Sequence, residues 1–233
     1  MTKRDAYQEL VACRKRCSRC PGLTNPASKE LQALDSDEIG PYTCWHGDLN
    51  ARLVVVGKDF APVAKFEQYN GRPGVDVETN RRLVNYLKIA GFEPGAIDRS
   101  HHDGGMFFTN AVLCLPGGAH MRTKILSRDV KTCSVFLKKT LSIVSPRVVA
   151  TLGGQATNAV LHAHGLPRGD FSALVKMKAG FELPDGATTG SIWGQPSEQF
   201  RARLFAMPHP VASFSKSVHE AAWRRLRVWF KGR

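Results

Sequence analysis

Long apolar runs are missing from this chain: no stretch approaches the ~20 residues that a membrane-spanning helix needs. The opening residues, MTKRDAYQEL, carry no apolar core of the kind that marks a secretory leader, so the expectation is a reducing, cytoplasmic setting. Internal repeats and low-complexity linkers are also absent, which argues against solenoids and tethered modules. Residues 1–233 are therefore expected to form one domain. Acidic side chains are scarce. Twenty Asp and Glu stand against 33 Lys and Arg, a net charge of +13, and such a surplus favours a polyanionic partner whose condensed counterions are released on binding. Nucleic acid is preferred over a membrane surface, because no single helix pairs a basic face with a large exposed apolar one. At 42% hydrophobic and 23% charged residues the chain is able to build a core and is not a disordered tail.

Four short apolar runs are present: Leu53–Gly57, Met106–Leu113, Arg147–Gly153 and Arg203–Met207. They are nearly continuous in hydrophobicity rather than alternating, as strands buried on both faces are. Helical spacing fills the gaps. Thr79 to Ala90 places Leu83, Tyr86, Leu87 and Ala90 on one side, with Gly91 at the stop. Asp129 to Ser145 repeats Val130, Cys133, Phe136, Leu137 and Leu141 ahead of Pro146. Asp5–Cys13 and Gly154–Leu161 are shorter helices. Ser217 and Glu220 have the spacing of a capping box for a last helix bearing Val218, Ala222, Leu226 and Trp229. Residues 61–78 and 165–200 are rich in Gly and Pro and read as long loops. Alternating strands and helices predict βαβ units, with functional loops at the carboxyl ends of the strands.

Six cysteines are conspicuous in a cytoplasmic chain, where thiols serve as metal ligands or catalytic groups more often than as disulfides. Cys17 and Cys20 form Cys-x-x-Cys, so that two thiolates from one turn reach one metal. Cys114 follows the second strand and Cys133 lies in the following helix. A site from these four would hold a [4Fe–4S] cluster or zinc. Cys13, Cys17 and Cys20 together have the Cys-x3-Cys-x2-Cys spacing of radical S-adenosylmethionine enzymes, but they follow a helix rather than a first barrel strand. Cys44 has no assigned role.

These pieces resemble, in order, the uracil-DNA glycosylase superfamily, closest to its iron–sulfur, family 4-like branch. Cys17-Ser-Arg-Cys20-Pro looks like the first half of a cluster site. Val54 to Gly57 followed by Lys58-Asp59-Phe60-Ala61-Pro62 stands at motif A, and Asn70-Gly71-Arg72-Pro73 is similar to the Gly-Arg-Pro segment. Phe108-Thr109-Asn110 with Cys114-Leu115-Pro116, Cys133 as fourth ligand, Pro146 to Gly153, and His209-Pro210-Val211-Ala212-Ser213 at motif B complete the match. The resemblance implies a three-layer α/β/α fold with a central four-stranded parallel sheet, a flipped base at the strand ends, monofunctional hydrolysis of a glycosidic bond, and a [4Fe–4S] cluster on Cys17, Cys20, Cys114 and Cys133. It also implies uracil-containing DNA as partner; the chain is expected to act as a monomer.

Breaking the bond between sugar and uracil develops a cation on the sugar and an anion on the base, after the base has been extruded at roughly a few kcal/mol. Asp59 is the carboxylate that favours the cation and orients water; His209 donates to uracil O2. Asn110 offers one donor and one acceptor to uracil O4 and N3–H, a pattern that cytosine reverses. Gly57, Phe60 and Ala61 line the pocket; because Gly74 and Val75 follow Pro73 where the family has a stacking Phe, Phe60 is the first candidate for the stacking ring, with Phe66 and Tyr69 as lesser ones. Motif A departs from the Gly-Glu-Ala-Pro-Gly of the iron–sulfur branch: its acid falls where the Gly-Gln-Asp-Pro-Tyr-His group keeps an Asp, and Ala61 replaces the Tyr that walls off a 5-methyl group. The expectation is a roomier pocket that accepts 5-substituted uracils. Ser213, Phe214 and Lys216 follow motif B, where Phe214 suits a wedge and Lys216 a phosphate contact. A non-catalytic iron–sulfur nucleic-acid-binding protein and a radical S-adenosylmethionine enzyme remain as alternatives.

Overall fold

Residues 1–118, 121–184 and 202–232 are described by a computed structural model of the chain. The four apolar runs become β1 (Leu53–Gly57), β2 (Met106–Asn110), β3 (Val148–Leu152) and, after a short β4 (Phe181–Glu182), β5 (Arg203–Met207). All four long strands run parallel, and the sheet order is β2-β1-β3-β5-β4. The expected four-stranded sheet is thus extended by one strand. β4 pairs antiparallel with β5 through two residues only, inside a segment that read as loop because two residues are too few to carry an alternation. β2 stops at Asn110, three residues short of the apolar run, because Ala111 and Val112 turn back to donate to the carbonyls of Gly57 and Lys58 (both 2.9 Å).

Alternation across the sheet separates two cores. Val54, Val56, Phe107, Val149 and Leu204 face α1 (Lys3–Lys15), α4 (Ser127–Val144) and α5 (Gly154–Ala163). Leu53, Val55, Phe108, Val148, Ala150 and Phe205 face α3 (Glu78–Ala90) and α7 (Lys216–Lys231), together with Trp45. Both faces being covered is why the strands lack an alternating pattern. Leu83, Tyr86, Leu87 and Ala90 are all buried on α3, and Gly91 ends it in the left-handed conformation (φ 87°). The predicted loop at 61–78 contains α2 (Val63–Gln68), and 165–200 contains α6 (Phe171–Lys176); residues 185–200 of that loop lie outside the described residues. At the last helix the cap is Ser215, whose Oγ accepts from Val218 N, not Ser217. The buried stripe is His219, Ala222, Trp223 and Leu226, and Val218 is exposed.

The strand order reverses at β1, which has β2 on one side and β3 on the other. In open parallel sheets that reversal opens a crevice at the carboxyl ends, so the loops after β1, β2, β3 and β5 converge there.

Candidate active site

Gly57 ends β1 directly beside Asn110, which ends β2. A Cβ at Gly57 would lie 2.6 Å from Asn110 Nδ2; a glycine is needed here because the amide occupies that space. Asn110 is 3% exposed, and among the described residues neither its Nδ2 nor its Oδ1 has a hydrogen-bond partner. Buried amides are almost always paired, since an unpaired one costs about 1–3 kcal/mol. This one, at the carboxyl end of β2, has both functions free.

Asp59 follows two residues after β1. Its Oδ2 lies 3.0 Å from Lys58 Nζ but is also a buried atom without an aligned hydrogen bond. The two statements agree if the contact is an ion pair with poor donor geometry, and with Lys58 more than a third exposed water screens it heavily. Asp59 keeps free acceptor capacity. From the opposite side His209, half-buried in the loop after β5, is held below the usual histidine range. Burial is the main cause; Asp59 opposes it, and Lys58 and His219 reinforce it. The coupling shows Asp59 and His209 to be within electrostatic reach of each other, while burial prevails and favours the neutral imidazole. Gly153, after β3 with φ 89°, gives His209 its place: a Cβ there would come within 3.3 Å of His209 Cβ.

Phe60 is half-buried, edge-on to Tyr42 (5.4 Å) and Phe66 (6.1 Å), so one ring serves both wall and core. Ala61 beside it is half-buried. Tyr42 was not anticipated. It sits in a 3-10 turn, Pro41–Cys44, tied to β2 by Thr43 Oγ1 donating to Phe108 O (2.6 Å). Its hydroxyl donates to Asn80 Oδ1 (2.6 Å), while Asn80 Nδ2 donates to Gly74 O (2.8 Å). Burial, and next the nearby Asp59, push the Tyr42 hydroxyl well above its ordinary pKa, so it stays a protonated donor. Only its membership of an aromatic-rich stretch hinted at this. Ser213, Phe214 and Lys216 are exposed in and after the loop that follows His209, Phe214 at 44%; they share its rim rather than the pocket.

The cysteines assemble separately, beneath the α1–α4 side. Asn25 Nδ2 donates to the carbonyls of Arg14, Lys15 and Cys17, closing the end of α1 and setting the turn to Cys20. Thr24 and Leu115 exchange backbone hydrogen bonds (2.9 and 2.8 Å), which draws Cys20 toward Cys114. Arg122 grips Asp129 at the start of α4 with two hydrogen bonds (2.9 and 2.8 Å) and donates to Pro21 O, bringing in the helix that carries Cys133. Cys20, Cys114 and Cys133 are buried and Cys17 half-buried, all as free thiols. Burial, then the charges of the other cysteines, pushes Cys114 up to about 12, and Cys133 is raised still further by burial with Cys114, Cys20 and Cys17 contributing. Four thiols lie in mutual electrostatic reach, and Cys20, Cys114 and Cys133 resist ionisation, chiefly through burial; such a set fits a centre whose positive charge holds thiolates. Among the described residues no three Cys, His, Asp or Glu side chains are gathered for a single ion.

The fold is an α/β/α sandwich with an unpartnered amide, a carboxylate and an imidazole at the carboxyl ends of three parallel strands, groups of the kind a hydrolase uses. A match to the model of the uracil DNA glycosylase superfamily covers residues 44–229, and the chain belongs to that superfamily. The match begins after Cys17 and Cys20. The chain is also 33% identical over 172 residues to a type-5 uracil-DNA glycosylase of Pyrobaculum aerophilum, covering 70% of this chain and 73% of that protein.

Proposed function

We propose that this chain is a monofunctional uracil-DNA glycosylase that hydrolyses the N-glycosidic bond of uracil in DNA. The observation that carries the reading is Asn110: a buried amide with both polar atoms free is completed by a base edge offering one acceptor and one donor. Uracil O4 takes the Nδ2–H, and uracil N3–H donates to Oδ1. Asp59, with acceptor capacity left over, faces the sugar side, where it orients water and offsets the cationic charge that develops as the bond breaks. Neutral His209 donates to O2 of the departing anion. Phe60 is the ring available for stacking. Incubating purified protein with a uracil-containing oligonucleotide, followed by hot alkali, is expected to give strand breaks at uracil; an intact strand would refute the assignment.

The half-buried Ala61 leaves room beside Phe60 for a substituent on C5 of the base, so 5-hydroxymethyluracil is expected to be excised too. Complete discrimination against it would show that another side chain closes that wall. In the exposed loop, Phe214 is the wedge that occupies the stack behind the everted base, Ser213 lies at its base and Lys216 contacts phosphate. Cys17, Cys20, Cys114 and Cys133 would hold a [4Fe–4S] cluster. When bound, it supplies a fixed positive centre that pins the N-terminal segment to α4 and the strap after β2, with no electron transfer required for hydrolysis.

A further inference from the structure

The loop between β5 and α7 is held from behind by groups that hydrolysis does not use. His219, on the first turn of α7, is 1% exposed. Its ring lies flat on Tyr86 of α3 (centroids 5.1 Å apart, planes 3° apart), and Phe214 meets it edge-on at 6.1 Å. His219 Nε2 stands 3.5 Å from the carbonyl of Ala212; a carbonyl only accepts, so the nitrogen donates. Two residues earlier along the loop, Arg82 Nη1 of α3 donates to Pro210 O (3.4 Å), and the same guanidinium is braced by Glu78 (2.6 Å from Nε). Each bond is long and weak alone. Together they take up alternate carbonyls of the loop while Val211 and Phe214 point outward, 45% and 44% exposed. His219 Nδ1 is buried with no partner among the described residues. An imidazole retained only to fill the core would be better replaced by phenyl, which fills the same stack and leaves no polar atom unsatisfied. What phenyl lacks is the N–H toward Ala212.

We infer that His219 and Arg82 are positioning residues that seat the Pro208–Ser215 loop and set how far Phe214 enters duplex DNA. The inference rests on the wedge assignment given under the proposed function. His219 acts through the loop and does not touch substrate.

The test uses the intact protein and a duplex with 2-aminopurine stacked next to 2′-fluoro-2′-deoxyuridine, a nucleoside whose glycosidic bond resists hydrolysis, so the signal needs no catalysis. Wild-type protein at saturation is expected to raise 2-aminopurine fluorescence by unstacking it; Phe214→Ala is expected to abolish the rise. His219→Phe keeps the stack on Tyr86 but loses the donor, and is expected to lower the ratio of unstacked to stacked complexes about threefold to tenfold, the weight of one modest hydrogen bond. With cleavable DNA the same variant should lose more activity on duplex than on single-stranded substrate, whereas general damage would lower both alike. Should His219→Phe fail to fold, Arg82→Met at the half-exposed site removes the other hold and is expected to shift the ratio in the same direction. No fluorescence rise with wild-type protein, or a rise unchanged in a folded seat variant, overturns the inference. Absence of excision by wild-type protein from both single-stranded and duplex uracil substrates would instead refute the glycosylase assignment, leaving the fluorescence result to decide the seat.

Discussion

Asn110→Leu separates function from stability at one residue. The leucine side chain has nearly the shape of asparagine, so it fills the same buried space at the end of β2 without new contact to Gly57 beyond that already made by Nδ2. In the free protein both amide atoms are buried without protein partners among the described residues, and such burial costs about 1–3 kcal/mol. Water entering an empty crevice recovers part of that, so the low end applies. Removing the amide should therefore stabilise the free protein by about 1 kcal/mol, raising Tm by roughly 2–4 °C for a chain of this size. Activity moves the other way. Two hydrogen bonds to the base edge are lost at about 1–1.5 kcal/mol each, and uracil N3–H is left unpaired against an apolar group, so kcat/KM should fall by at least 10²-fold, on the order of one decade per 1.36 kcal/mol. Differential scanning fluorimetry and single-turnover excision on the same preparation read both quantities. A lower Tm together with lower activity would mean that the amide belongs to the structure of the strand end, and the reasoning about its free valences would be wrong.

Gly57→Ala drives a methyl to within 2.6 Å of Asn110 Nδ2; the amide gives way more easily than the backbone, so Tm should change little while kcat/KM falls about 10–100-fold through misplacement. Buried His46, 1% exposed with Nε2 donating to Pro94 O (2.8 Å), is lowered from 6.5 to about 4, chiefly by burial. The unfolded chain therefore binds the extra proton first: stability is fully present above about pH 6.5 and is lost as pH falls toward about 4, by roughly 3 kcal/mol at 1.36 kcal/mol per unit. His46→Gln should flatten that part of a urea-unfolding series, and an unchanged slope would place the acid sensitivity in other groups. Cys133→Ser, by contrast with Cys13→Ser and Cys44→Ser, is expected to lose bound iron and absorbance near ~400 nm and to lower Tm; iron retained in Cys133→Ser but lost in Cys13→Ser would favour the radical-enzyme ligand set. Arg14, 2% exposed, holds Asp35 with two hydrogen bonds (2.9 and 2.8 Å); Arg14→Met leaves that buried carboxylate with Lys15 4.0 Å away as its remaining cation and should cost about 3 kcal/mol in chemical denaturation, the low end for a broken buried pair.

The long strands were legible because burial on both faces leaves an unmistakable run of Val, Phe and Leu, and because the covering helices repeat at their own period. The placement of the candidate residues was legible for a related reason: Asp59, Asn110 and His209 each stand within two residues of a strand's carboxyl end, where the topology brings loops together. What escaped was decided by contacts distant in sequence. Tyr42 matters because Thr43 is tied to β2 and Asn80 reaches over from α3, and neither link leaves a local signature. Three serines at 213, 215 and 217 alternate across the start of α7, and the spacing to Glu220 favoured the last; the fold caps at Ser215, where the loop's bonds to Arg82 and His219 lead the chain into the helix.

That displaced cap turns the helix so that His219, not Val218, faces inward. An apolar pattern assigns the buried face to the greasier residue, and here it chose wrongly because the pocket behind the loop is stacked aromatic surface with one carbonyl to satisfy. Tyr86 and Trp223 supply the surface and Ala212 the carbonyl, a combination that an imidazole meets and valine does not. The same logic governs Asn110 from the opposite direction. One buried polar residue donates to a backbone carbonyl of the loop, whereas the other has both amide atoms without a partner among the described residues; hydrogen-bond satisfaction, which hydrophobicity along the chain does not report, separates the two.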